Sequence, residues 1–121
     1  MDIDILIDND INVEEALEFL GDIDTYNETL NDFLEESKTR LPKIEEYKNN
    51  KDMENYAILV HAMKGDSKYL GFSKLALLSL NHQLKSEEND IDYVYENYDE
   101  LITEANRVID IVKRYLNKWQ L

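Results

Sequence analysis

The chain has 121 residues, enough for one domain but too few for a kinase together with its substrate module. Hydrophobic residues make up 43% while Gly (3) and Pro (1) are scarce, which excludes wholesale disorder and a turn-rich sheet protein and leaves an all-α fold. A net charge of −14 argues against nucleic acid or an anionic membrane as partner, and the lack of Cys excludes disulfides, thiolate chemistry and Cys-type zinc sites.

No apolar run approaches the roughly 20 residues of a membrane span. The acidic start MDIDILIDND lacks the basic segment of a signal peptide, so a soluble, cytoplasmic protein is expected. Residues 1–11 read as an N-terminal arm, and 12–121 as a single domain. Asn12 is placed as the N-cap of a short helix, with Glu14 and Glu15 in its first turn and Gly21 at its end. A longer helix follows Asp24, with Tyr26, Leu30, Phe33, Leu34, Leu41, Ile44 and Tyr47 at helical spacing. Pro42 inside that pattern is expected to kink or locally break it. The run 48–51 reads as a connection and Asp52 as the next cap.

A third helix is expected from about Asp52 to Leu70, ended by Gly71, which tolerates a left-handed turn. A leucine-rich helix from Ser73 to about Ser86 comes next, then the polar connection 86–90. The last helix carries Val94, Tyr98, Leu101, Ala105, Val108, Val112, Tyr115 and Trp119 in steps of three or four. The architecture implied is an antiparallel four-helix bundle with a short extra N-terminal helix.

Charge is distributed unevenly. Residues 1–55 carry 17 acids and 5 bases, and residues 86–121 carry 9 and 4. Residues 56–85 hold Lys64, Lys68, Lys74 and Lys85 against Asp66 alone, and both histidines, His61 and His82, fall in that window. On the third helix Tyr56, Val60, Met63, Ser67 and Leu70 form one stripe, and at about 100° per residue His61 lies roughly 140° from its centre. His61 is therefore expected to be exposed, flanked by Lys64 and Lys68 and beside Gly65, which has no side chain. Ala57, Ile58 and Phe72 are placed near the same outward face, giving it the profile of a docking surface.

The string His61-Ala62-Met63-Lys64-Gly65-Asp66-Ser67-Lys68-Tyr69-Leu70-Gly71 reads H-x-x-K-G-x-S-x-x-L-G. With the helix order around it, from about Asn12 to Leu116, it resembles the histidine-containing phosphotransfer (HPt) domain of multistep two-component phosphorelays. The resemblance implies that His61 accepts a phosphoryl group and exchanges it with an aspartate of a response-regulator receiver domain. An imidazole uncharged at neutral pH keeps a lone pair on one ring nitrogen for this, and the reaction asks mainly for positioning and charge compensation. It also implies that Lys64 offsets phosphoryl charge and that the small Gly65 lets the receiver approach. Lys68 either assists or is an ordinary surface lysine. Ser67 matches the family's polar position, but its angle turns it inward, where bonding to a backbone carbonyl is expected.

His61 stands ten residues before Gly71 and Gln83 twelve after it, about 15 and 18 Å from the turn along an antiparallel hairpin. The family's Gln or Glu at this spacing bonds one ring nitrogen and leaves the other free, and Gln83 matches. His82 departs from the usual aliphatic residue; no Lys-Gly follows it, which favours a helix-interface role over a second phosphoacceptor. A carboxylate-rich metal bundle on His61 and His82 is disfavoured because neither has a Glu three residues before it. A helical adaptor that binds receivers without transfer is the alternative function, which the retained His, Lys and Gly argue against. The expected protein is a monomeric, stoichiometric phosphate carrier rather than an enzyme. It has no nucleotide-binding loop, metal site or cofactor, and Mg²⁺ is expected on the receiver, free or within a hybrid histidine kinase. Ile58, Gly65, Lys68 and Phe72 are its expected partner-binding residues.

Overall fold

The computed structural model describes residues 1–118, so the expected core position Trp119 lies outside the described residues. Six helices follow one another: α1 (Asp4–Ile7), α2 (Val13–Leu20), α3 (Ile23–Asn49), α4 (Met53–Leu70), α5 (Ser73–Glu87) and α6 (Ile91–Tyr115). No strand occurs among the described residues. The four long helices pack in sequence, α3 on α4, α4 on α5 and α5 on α6, and α6 returns to α3. Because the joints are only two or three residues long, neighbours along this ring run in opposite directions.

The helix starts have local causes. The side chains of Asn12, Asp22, Asp52 and Asp90 each accept a hydrogen bond from the backbone N–H three residues on, satisfying one otherwise orphaned donor. In α3 the capping residue is Asp22, two residues before the expected Asp24. Pro42 does not interrupt α3, which is helical throughout. Pro42 and Lys38, whose carbonyl loses its helical donor, are both exposed, so water can take the missing place. Residues 48 and 49 belong to α3, leaving only a short joint before Asp52.

The main core unites Tyr26, Leu30, Phe33, Val60, Met63, Leu75, Leu101, Val108 and Val112 with further apolar residues from every helix but α5's outer face. Burial of each such aliphatic side chain is worth about 1.5–3 kcal/mol. Residues 1–11 are not a free arm. Leu6 and Ile11 are buried in that core, and Arg107 of α6 donates from Nη1 to the carbonyl of Asn9 at 3.1 Å. The sequence hid this because a four-residue helix shows too little periodicity to reveal a buried face.

The α4–α5 hairpin carries the site, and its turn is held from outside. Gly71 sits at φ +85°, in the left-handed region. Its carbonyl accepts from the backbone N–H of Asn12 at 2.9 Å, so the start of α2 is fastened to the turn. A Cβ on Gly71 would stand 2.4 Å from the Asn12 carbonyl oxygen. The Tyr26 hydroxyl adds a bond to the Leu70 carbonyl at 3.0 Å, bracing the same turn from α3.

Candidate functional site

His61 is exposed on α4, on the side facing α5. Its Nδ1 lies 3.0 Å from Oε1 of Gln83, at the level the hairpin geometry requires. An amide oxygen only accepts, so the proton of the neutral ring sits on Nδ1 and Nε2 keeps its lone pair. Among the described residues Nε2 has no hydrogen-bond partner. Gln83 in turn donates from Nε2 to Oε2 of Glu87 at 3.2 Å. A groove lined by Met53, Ala57 and Ile58 of α4 and by Gln83, Ser86 and Glu87 of α5 opens beside the imidazole.

Lys64, one turn after His61, is half-buried, and Lys68 is exposed. Neither enters an ion pair among the described residues. The one acid of the local window does not neutralise them. Asp66 turns to α3, where Arg40 holds it at 2.9 Å while also bonding Glu36. Asp66 is thus engaged on the α3 side, while the acids that border the His61 groove are Glu54 and Glu87, from outside that window. Gly65 meets nothing within 4 Å where a Cβ would be built, and its φ is not positive. Packing and backbone strain within this chain do not demand a glycine there.

Two of the residues expected outward are not. Phe72 is 1% exposed and packs edge-on against Phe33 with ring centroids 5.1 Å apart. The helical phase of α4 cannot be carried past Gly71, because a left-handed residue redirects the chain. Ala57 is buried as well, although it still borders the groove. The exposed apolar residues of the hairpin are instead Ile58, which lines the groove with His61 and is 59% exposed, and Leu77 and Leu84 of α5, at 58% and 48%. Leu77 and Leu84 are seven residues apart and share one helix face, a spacing visible in the sequence once α5 is phased. Ser67 does point inward and is buried, but its hydroxyl has no partner, so the expected backbone bond is absent.

His82 occupies the opposite flank of α5 and is 1% exposed. The Tyr56 hydroxyl donates to its Nδ1 at 2.8 Å, and its Nε2–H donates to the Asn97 carbonyl at 3.1 Å. The Tyr93 ring packs edge-on against it. This ties α5 to both α4 and α6 through a neutral ring, the helix-interface role. Burial holds its pKa below the usual 6.5, against the opposing pulls of the Asn97 carbonyl and Glu100. In the unfolded chain the same ring binds its proton from about pH 6.5 downward. The unfolded state thus takes up more protons there, and the stability contributed by neutral His82 is complete above that pH and lost as pH falls below it. Wild type should accordingly lose more stability than His82→Gln between about pH 7.5 and pH 5.5. Urea midpoints at the two pH values measure this, and parallel losses would contradict it.

No group of three or more His, Asp or Glu side chains among the described residues is arranged to hold a metal ion. No described helix is long and apolar enough to cross a membrane. Against known proteins, a family model described as Hpt domain matches residues 28–110, which run from the first turns of α3 into the last third of α6. The matched span includes His61, Lys64, Gly65 and Gln83. No curated protein and no solved structure matches significantly.

Proposed function

The chain belongs to the Hpt domain family, phosphotransfer modules of phosphorelay signalling, and we propose that His61 is the residue through which it carries the phosphoryl group. The observation that supports this reading most is the bond from His61 Nδ1–H to Gln83 Oε1, which leaves Nε2 unprotonated on an exposed side chain. In the transfer, the Nε2 lone pair attacks the phosphorus of an aspartyl phosphate on a receiver domain. The N–P bond forms, the acyl-phosphate O–P bond breaks, and the receiver recovers its carboxylate. The ring then carries a positive charge with Nδ1–H still held by Gln83. Donation to another receiver is the reverse. Lys64, with Lys68 one turn further on, offsets negative charge on the phosphoryl oxygens. Any Mg²⁺ used in the step belongs to the receiver's acidic pocket.

Receivers, free or within a hybrid kinase in the cytoplasm, dock on the outward face of the α4–α5 hairpin over a monomer of this chain. Ile58, Leu77 and Leu84 supply the apolar contact in place of the buried Phe72, Gly65 gives clearance, and Lys68 faces the receiver's carboxylates. Incubation with phosphorylated receivers followed by mapping of acid-labile phosphate tests the proposal, which fails if the label lies anywhere but His61. Gly65→Arg tests the surface. With open space at that position the variant should remain fully helical, yet lose receiver affinity at least tenfold, and transfer with it. Undiminished binding by calorimetry would place the docking surface elsewhere.

A further inference from the structure

A glutamine beside a histidine does not by itself decide which ring nitrogen is free. The carboxamide has an acceptor end and a donor end of nearly the same shape. With Oε1 toward His61, Nδ1 holds the proton and Nε2 is the nucleophile. Rotated by half a turn, the NH₂ end would donate to a bare Nδ1, the proton would move to Nε2, and the outward nitrogen would lose its lone pair. Both arrangements make one hydrogen bond to His61. Something else has to choose between them.

We infer that Glu87 makes that choice and is a positioning residue for His61, acting through the Gln83 amide. Glu87 lies one turn after Gln83 on α5, where side chains four residues apart meet, and its Oε2 is 3.2 Å from Gln83 Nε2. A carboxylate only accepts, so it bonds the NH₂ end and opposes the carbonyl end, turning Oε1 to His61. The other acids nearby do not share the task. Glu54 borders the groove from α4 without a bond to Gln83, and Glu88 faces Lys85 at 3.8 Å. The same arrangement suits the loaded state. The Nδ1–H of a ring that has become cationic points along Gln83 toward a fixed negative charge, in a surface otherwise supplied with lysines. The tautomer preference stands on this geometry alone. Its consequence for transfer rests on the reading of His61 as the phosphoacceptor.

The test uses ¹⁵N-labelled protein above the titration range of imidazole, with ring-nitrogen shifts and ring couplings reporting the tautomer of His61. A free neutral imidazole side chain favours the proton on Nε2, so a dominant Nδ1–H form in wild type is already the reverse of the default. Glu87→Gln removes the acceptor-only partner with little change in shape. It should shift the His61 tautomer ratio toward Nε2–H by about threefold or more, the scale of one modest hydrogen bond. Loading of His61 from phosphoramidate should slow in proportion to the Nδ1–H population. Glu88→Gln, with the same change of charge, should leave the ratio as in wild type. In a Gln83→Glu background, where the carboxylate needs no orienting, Glu87→Gln should no longer move it. An unchanged ratio in Glu87→Gln, or an equal shift in Glu88→Gln, overturns the inference. A shifted ratio in a protein whose His61 takes no phosphate from phosphoramidate or receivers would sustain the positioning role and overturn the proposed function instead.

Discussion

Replacing His61 with Gln should abolish phosphoryl transfer completely, while His82→Gln should retain most of it. The two substitutions remove the same group from opposite flanks of the α4–α5 hairpin. His61 is exposed and its single hydrogen bond is to a surface amide, so its loss leaves the core untouched. A carboxamide nitrogen has no available lone pair with which to form the N–P bond, and no second acceptor stands within the site. His82 has both ring nitrogens engaged by Tyr56 and Asn97 in the interior, where no phosphoryl group can reach it. Its replacement should cost about 1–3 kcal/mol of stability, because the buried Tyr56 hydroxyl and Asn97 carbonyl lose their partner. Transfer assays run well below the unfolding transition of each variant, with circular dichroism to verify folding, separate the two effects. Residual transfer in His61→Gln, or equal loss in both, would overturn the assignment.

The largest loss of stability from a single methyl group is expected at Gly71. Gly71→Ala would hold an L-residue at φ +85° and drive its Cβ to 2.4 Å from the Asn12 carbonyl oxygen. A non-glycine residue in such a conformation costs about 1–3 kcal/mol by strain alone. Here the neighbour is backbone and cannot swing aside. Asn12 must move, and with it go the hydrogen bond to the Gly71 carbonyl and the docking of α2. We expect about 3 kcal/mol or more, a large share of the 5–15 kcal/mol that usually separates folded from unfolded chains. Gly21 is the internal comparison, since it has φ +93° with nothing within 4 Å of an added Cβ. Gly21→Ala should show backbone strain without a collision, about 1–3 kcal/mol, because φ +93° with ψ −50° lies outside the left-handed well that Gly71 occupies. Urea denaturation of both variants decides the matter. A loss in Gly71→Ala of no more than about 1–2 kcal/mol, the cost of a left-handed residue alone, would mean that the Asn12 contact yields easily and does not clamp the hairpin.

Helix ends were legible because their causes are local. Asn12 and Asp52 cap donors only three residues away, and Gly71 ends α4 by its own backbone freedom, so neighbours in sequence were sufficient. The pairing of His61 with Gln83 was legible for a related reason. Both lie on one hairpin, and a constant rise per residue brings equal distances from the turn to the same level. Helical phase likewise exposed His61 and turned Ser67 inward. It failed at Phe72, beyond a left-handed residue, and at residues 1–11, where four helical residues hold no readable period. Other features join elements distant in sequence: Arg40 drawing Asp66 away from Lys64 and Lys68, Tyr56 and Asn97 enclosing His82, and Asn12 seated on Gly71. The orientation of the Gln83 amide belongs with them although Glu87 is only one turn away, because it has meaning only once His61 arrives from α4. A sequence by itself determines which face of a helix is apolar and where that helix stops. Which polar groups then meet across the packed faces is decided by the tertiary structure, since each such pairing needs two backbones fixed to within the reach of one hydrogen bond.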